Sequence, residues 1–152
     1  MKLSARRTDR RHAMCLIFAR DFQPDSPLDM DYYLERFAWE VADLGFSEPD
    51  YVKRIYDGVF DNLEKIDRII QKTATDWDIS RIDKVDLAVM RLAIFEILHE
   101  KDTPAAVAIN EAVDIAKEFS SEESGKFVNG ILEKIRKRAA AQADKKKASD
   151  ES

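Results

Sequence analysis

Apolar side chains recur every three or four positions along most of this chain, the period of a helix with one buried stripe. No stretch alternates with period two between turn residues, so the pattern predicts an all-α fold. The first helix is expected from near Ser4 to about Phe22, with Ala13, Leu16, Ile17 and Arg20 on one side and Met14 and Phe18 beside them. Pro24-Asp25-Ser26-Pro27 should stop it. A second helix, from about Asp29 to Leu44, carries the stripe Tyr33, Phe37, Val41 and Leu44 and meets a natural stop at Gly45. Ser47-Glu48-Pro49-Asp50 combines a capping residue, an early proline and an acid three positions after the cap. It opens a long helix to about Lys72, with Val52, Ile55, Val59, Leu63, Ile66 and Ile70 facing inward.

A short helical turn is expected around Trp77 and Ile79, followed by the most apolar segment, Ile82 to Leu98. Its large side chains cover more than one face, which predicts the central, most buried helix. Thr103-Pro104 starts another helix ending near Phe119, with Ile109, Ala112, Ala116 and Phe119 inward. Ser120-Ser121-Glu122-Glu123 reads as a second capping box before a last helix through Phe127, Val128, Ile131, Leu132 and Ile135. About seven helices, divided near Trp77, are thus expected to pack as two small sub-bundles in one domain spanning 1–138. Residues 139–152 hold no large apolar side chain, so this basic tail is expected to fray or be disordered.

The 152 residues suffice for one domain with a real core, and 36% charged residues with 4 Gly and 4 Pro suit packed helices with solvated outer faces. One cysteine, Cys15, excludes an internal disulfide, and no apolar run has the length of a membrane span. The basic, polar start does not read as a secretory signal, so a reducing cytoplasm is expected. Charge changes the picture more. Residues 1–20 hold six Lys/Arg against Asp9 alone, a surplus of +5, residues 131–152 carry +3, and the middle carries −13 of the total −5. A basic end on an acidic body suggests a local anion-binding surface, with the rest left to meet a basic protein.

Candidates for catalysis are few. His12 and His99 are far apart in the chain, Cys15 on an apolar helix face reads as a small core residue, and no glycine-rich phosphate loop is present. No metal or cofactor is expected. On a helix, Arg6, Arg7, Arg10 and Arg11 are neighbours at three and four residues, so their guanidinium groups form one patch that repels itself and that a polyanion would relieve. The plainer reading, a frayed and solvated basic N-terminus, weighs about equally on charge alone. Arg91 and Glu96 interrupt the most apolar helix, which suggests a partly buried pair with each other or with neighbours such as Glu111. Gly130, inside a predicted helix, points to a close helix approach or to a backbone near a ligand.

The run Val107-Ala108-Ile109-Asn110-Glu111-Ala112-Val113, then Ala116-Lys117, then Lys126-Phe127-Val128-Asn129-Gly130-Ile131-Leu132, resembles the C-terminal signature of the NusB family. Arg91-Leu92-Ala93-Ile94-Phe95-Glu96 is similar to the family's central helix, and Arg6-Arg7 with Arg10 to its arginine-rich start. The resemblance spans about residues 4–135. It implies a non-enzymatic antitermination factor acting with the transcription elongation complex on ribosomal RNA operons. Such a factor binds single-stranded boxA RNA together with NusE, a ribosomal protein. It also implies an RNA surface of Lys2, Arg6, Arg7 and Arg10, extended by Glu123, Lys126 and Phe127 at the opening of the last helix. Where the family usually has a glutamine and then a tyrosine, this chain has Cys15 and Phe18, and Phe18 retains the ability to stack on a base. Arg11 and Lys145 to Lys147 would add unspecific electrostatic affinity.

Two rivals are weighed against this reading. Similar helical domains precede ribosomal RNA cytosine methyltransferases, but such an enzyme needs a strand and a glycine-rich cofactor loop, for which this sequence has no candidate. A helical interaction scaffold that never touches RNA is the alternative. Monomer and homodimer both fit the pattern.

Overall fold

The computed structural model describes residues 2–23, 25–26, 29–36 and 48–150, with the side chains of 2–5, 34 and 36 outside the description. Seven α-helices stand among the described residues: α1 (Lys2–Asp21), α2 (Met30–Arg36), α3 (Pro49–Asp61), α4 (Leu63–Thr73), α5 (Lys84–His99), α6 (Ala105–Phe119) and α7 (Glu122–Asp150). A 3-10 turn at Ile79–Arg81 fills the segment around Trp77. The expected stripe positions Phe37, Val41 and Leu44, the stop at Gly45 and the cap Ser47 lie outside the described residues.

Local chemistry accounts for several of the helix ends. The Asp83 carboxylate accepts from the backbone N–H of Val85 at 2.9 Å and of Asp86 at 3.2 Å, which starts α5. The Ser121 hydroxyl accepts from the Ser124 N–H at 3.1 Å and starts α7. Thr103 does not cap α6, because Pro104 takes the N-cap position and the helix begins one residue later than expected. The long helix expected through Lys72 is two helices. At Asn62 (φ −114°, ψ 15°) the chain leaves helical geometry, and the Asn62 amide donates to the Gly58 carbonyl at 2.8 Å. An asparagine that bonds local backbone competes with the helical ladder in this way. The basic C-terminal segment stands as the end of α7, which continues to Asp150 with every side chain from Ala140 to Asp150 exposed. Alanine, lysine and glutamine are strong helix formers, and no glycine or proline interrupts them before Asp150.

The helices pack in two groups. α1 and α2 lie against α3, α6 packs along α7, and α5 touches α1, α3, α4, α6 and α7. Residues Asp86 to Glu96 of α5 are buried without a break, as its lack of a polar face predicts. Two arginine clamps anchor neighbours to this helix. Arg10 of α1 donates through Nε and Nη2 to the Glu96 carboxylate at 2.8 and 3.0 Å, and the Tyr51 hydroxyl of α3 donates to the same carboxylate at 2.8 Å. Arg10 is 1% exposed and Glu96 fully buried. Burial opposes the Arg10 charge, yet the hydrogen bonds and negative charge of Glu96 outweigh it and hold the guanidinium pKa above its ordinary value. Burial, then the same carboxylate, raise the Tyr51 pKa. Arg91 holds Asp67 of α4 with two bonds of 2.9 Å and Asp21 of α1 with one of 3.2 Å. Arg91 and Glu96 therefore do not pair with each other, nor with Glu111, because Arg91 is taken by Asp67 and the end of α1 and Glu96 by Tyr51 and the middle of α1.

The close approach between helices falls at Gly58, not at Gly130. A Cβ on Gly58 would stand 2.2 Å from the Phe95 ring, whereas one on Gly130 would meet nothing within 4 Å. Gly58→Ala should therefore destabilise the fold by roughly 1–3 kcal/mol through overpacking, and Gly130→Ala should stabilise it by about 0.5–1 kcal/mol. Thermal midpoints that move in the same direction for both variants would refute this packing. Glu96→Gln or Arg10→Met leaves one charge buried without its counterion and should cost about 3–5 kcal/mol in urea unfolding. Arg10→Met with Glu96→Leu and Tyr51→Phe, which removes the whole polar cluster, should recover most of that loss, and single variants of wild-type stability would show that the clamp contributes nothing.

Candidate nucleic-acid interface

Helix α1 presents its arginines to different surroundings. Arg10 is the interior clamp, 1% exposed and paired with Glu96, and so is set apart from the surface arginines. Arg6 is half-buried: it donates to the Thr103 hydroxyl at 3.4 Å and to Glu48 at 3.2 Å, and lies 4.7 Å from the centre of the Tyr51 ring. Arg7 and Arg11 reach the surface, with about 47% and 40% of their side chains exposed. Arg7 donates through Nε and Nη2 to Glu111 of α6 at 3.0 Å each and lies 3.6 Å from Asp114. The Glu111 hydrogen bond and charge raise its pKa. Arg11 meets Glu118 at 2.7 Å. The expected self-repelling patch is therefore not what forms. The side chain of Lys2 lies outside the described residues.

The Arg11–Glu118 pair is exposed on both sides, and pairs of that kind contribute little to stability, typically 0–1 kcal/mol, and are screened by salt. A phosphate can take the place of Glu118 at modest cost, whereas Glu111 is buried and its forked pair with Arg7 stays in place, leaving Nη1 of Arg7 as the edge a phosphate can reach.

Phe18 sits roughly 16 Å further along α1 than Arg7, at 1.5 Å per residue. It is half-buried against the core and meets Phe22, 61% exposed, edge-on at 4.9 Å between ring centres. From there the first turns of α5 bridge to α7: Lys84 lies 3.3 Å from Asp21, and the Ser124 hydroxyl donates to Asp86 at 3.3 Å. Burial raises the Asp86 pKa. Glu123 and Lys126 of α7 are exposed, and Phe127 is half-buried beside Trp77, with ring centres 6.3 Å apart and edge-on. These rings line a pocket of about 260 Å³ with Arg81, Asp83 and Asp86. The structure thus links Phe18 to Lys126 and Phe127 through the start of α5, while Arg7 and Arg11 face α6.

Trp77, 54% exposed, carries no role in the sequence reading beyond marking a helical turn. Its signal was a large aromatic ring in the polar run Thr73 to Ser80. Cys15 is exposed, because it falls opposite the Ala13–Ile17 face, and so it is not a core residue. His12 is not isolated: its Nε2 shares a 3.0 Å hydrogen bond with the Tyr33 hydroxyl, and burial lowers its pKa. Among the described residues no group of three His, Cys, Asp or Glu side chains is arranged to hold a metal ion, and no helix is long and apolar enough to cross a membrane.

The family model for NusB matches residues 7–137. The transcription antitermination protein NusB of Acetivibrio thermocellus is 45% identical over 147 residues, covering 96% of this chain and 98% of that protein. That of Ruminiclostridium cellulolyticum is 42% identical over 132 residues, covering 87% and 88%. Among solved structures, NusB from T. maritima superposes with a TM-score of 0.71 at 37% identity, covering 86% of this chain and 90% of that one. A crystal structure of antitermination factors NusB and NusE in complex with dsRNA gives 0.73 at 27% identity, covering 89% and 98%. With the motifs in α5, α6 and α7, the shared fold and a match that runs nearly end to end, the chain belongs to the NusB family.

Proposed function

We propose that this protein is a transcription antitermination factor that binds boxA-type RNA of ribosomal RNA operons together with NusE and delivers both to the transcription elongation complex. The observation that carries this reading is the near full-length match to antitermination proteins, joined to the likeness with NusB in a complex with NusE and dsRNA. The protein acts by binding and not by catalysis, in the cytoplasm where transcription runs.

The surface supports the same reading. Arg11 exchanges Glu118 for a phosphate, Arg7 offers a phosphate the guanidinium edge that Glu111 leaves open, and Lys126 adds a cation at the start of α7. Phe18, Phe127 and Trp77 supply ring faces for unstacked bases of a single strand. Arg6 and Arg10 act indirectly, by holding α1 in register. The acidic body, −13 over residues 21–130, suits a basic ribosomal protein and discourages RNA elsewhere. Lys145 to Lys147, on the exposed end of α7, add affinity without selectivity.

Fluorescence anisotropy of a labelled boxA-type RNA, with and without NusE and across a salt series, tests this against a scrambled RNA. Selective binding strengthened by NusE is expected. Arg7→Ala and Arg11→Ala should each weaken both RNAs and reduce the salt slope by about 0.7 for each lost single-strand phosphate contact. If boxA and scrambled RNA bind alike even with NusE present, the RNA role fails and a purely protein-binding scaffold takes its place.

A further inference from the structure

An open groove of about 490 Å³ runs between α6 and α7, bounded by Arg7 of α1. We infer that this groove holds one nucleotide of the bound RNA and reads its base edge through Asn110 and Asn129. The inference rests on the proposed RNA-binding function and adds a sequence-reading subsite to it.

The groove has the composition such a subsite needs. Asn110, Asp114 and Lys117 follow one another at four and three residues and share a face of α6, with Asn129 opposite on α7. Asn110 and Asn129 are both exposed, and among the described residues neither side chain has a hydrogen-bond partner. Each carboxamide offers an acceptor and two donors, the mixture required to pair with the polar edge of a base. Val107 and Val113 supply apolar wall against which a base face can lie. The lining carboxylates are already committed: Glu111 holds Arg7 with two bonds, and Asp114 lies 3.6 Å from the same guanidinium. The groups left free are the neutral amides, and the Lys117 ammonium adds a cation held only by a 3.8 Å pair with exposed Glu122.

Two glycines of α7 shape this surface. A Cβ on Gly125 would stand 2.7–3.3 Å from Cγ, Cε and Cδ of Lys117, so the missing side chain gives the lysine stem its seat across α7. Gly130 follows Asn129, and no atom stands within 4 Å of its Cβ position. Helix packing does not call for a glycine there, and the open backbone lets a ligand approach beside Asn129. Arg7 borders both this groove and the arginine face of α1, so one strand can pass from phosphate contacts into the groove.

The test compares wild type, Asn110→Ala, Asn129→Ala and the double variant against boxA-type RNA and a set of its single-base substitutions, with NusE present. Thermal melts verify that each variant is folded, as expected for exposed positions. Each single variant should bind boxA RNA about five- to tenfold more weakly, and the double variant should lose discrimination at one base position. The salt slope should stay at the wild-type value, because no charge is removed. If wild type is selective and the double variant retains its affinity and selectivity, the groove is not an RNA subsite and the proposed function survives. If the double variant binds NusE more weakly without RNA while its RNA affinity holds, the groove is a protein-docking surface and the inference is overturned. If wild type itself does not discriminate boxA RNA, the functional reading fails with it.

Discussion

The carboxylate of Glu96 sits at the centre of the molecule, accepting from Arg10 of α1 and Tyr51 of α3 while belonging to α5. A charge so deep in a helix buried on all sides is tolerated only where its counterion and hydrogen bonds have the right geometry. Apolar side chains permit α1 to slide or rotate on α5 by small steps, whereas the forked bond of Arg10 permits one arrangement. Once Arg10 is fixed, the helical period decides the rest. Arg7 and Arg11 must face α6, Arg6 must turn toward Thr103 and Glu48, and the Ala13, Met14 and Ile17 stripe must enter the core. The candidate interface is in this sense a consequence of the interior.

That constraint also changes how the surface charge works. A bare arginine cluster would bind any polyanion, with little regard for sequence. Here the exposed arginines are each held by an acid of α6, and the net charge of the chain is negative. A phosphate at Arg11 must compete with Glu118, and one at Arg7 meets only the guanidinium edge that Glu111 leaves open. The cations of this face are thus restrained in direction as well as in number, which reduces indiscriminate attraction of polyanions.

The first turns of α5 join the two halves of the proposed interface. Lys84 meets Asp21 at the end of α1, and Asp86 meets Ser124 at the start of α7. The aromatic pairs Phe18 with Phe22 and Trp77 with Phe127 flank this link, so ring faces from distant parts of the sequence come to one side of the molecule. The groove between α6 and α7 opens instead beside Arg7.

The sequence by itself determined the helical class, the central position of α5, most of the helix boundaries and the family. Periodicity, capping residues and motif order are local properties, readable within a few turns. It determined the break at Asn62 less well, because there local side-chain bonding to the Gly58 carbonyl outweighed the continuous burial pattern. Only the tertiary structure decided which arginine is interior and which is exposed. Arg6, Arg7, Arg10 and Arg11 are alike as residues, and the roles of the last three separate only when Glu111, Glu96 and Glu118 arrive from helices 86 to 107 residues away. The same holds for Gly58 and Gly130. Identical in sequence terms, one lies beneath the Phe95 ring and the other beneath open space, because contact across helices depends on packing that no local pattern encodes.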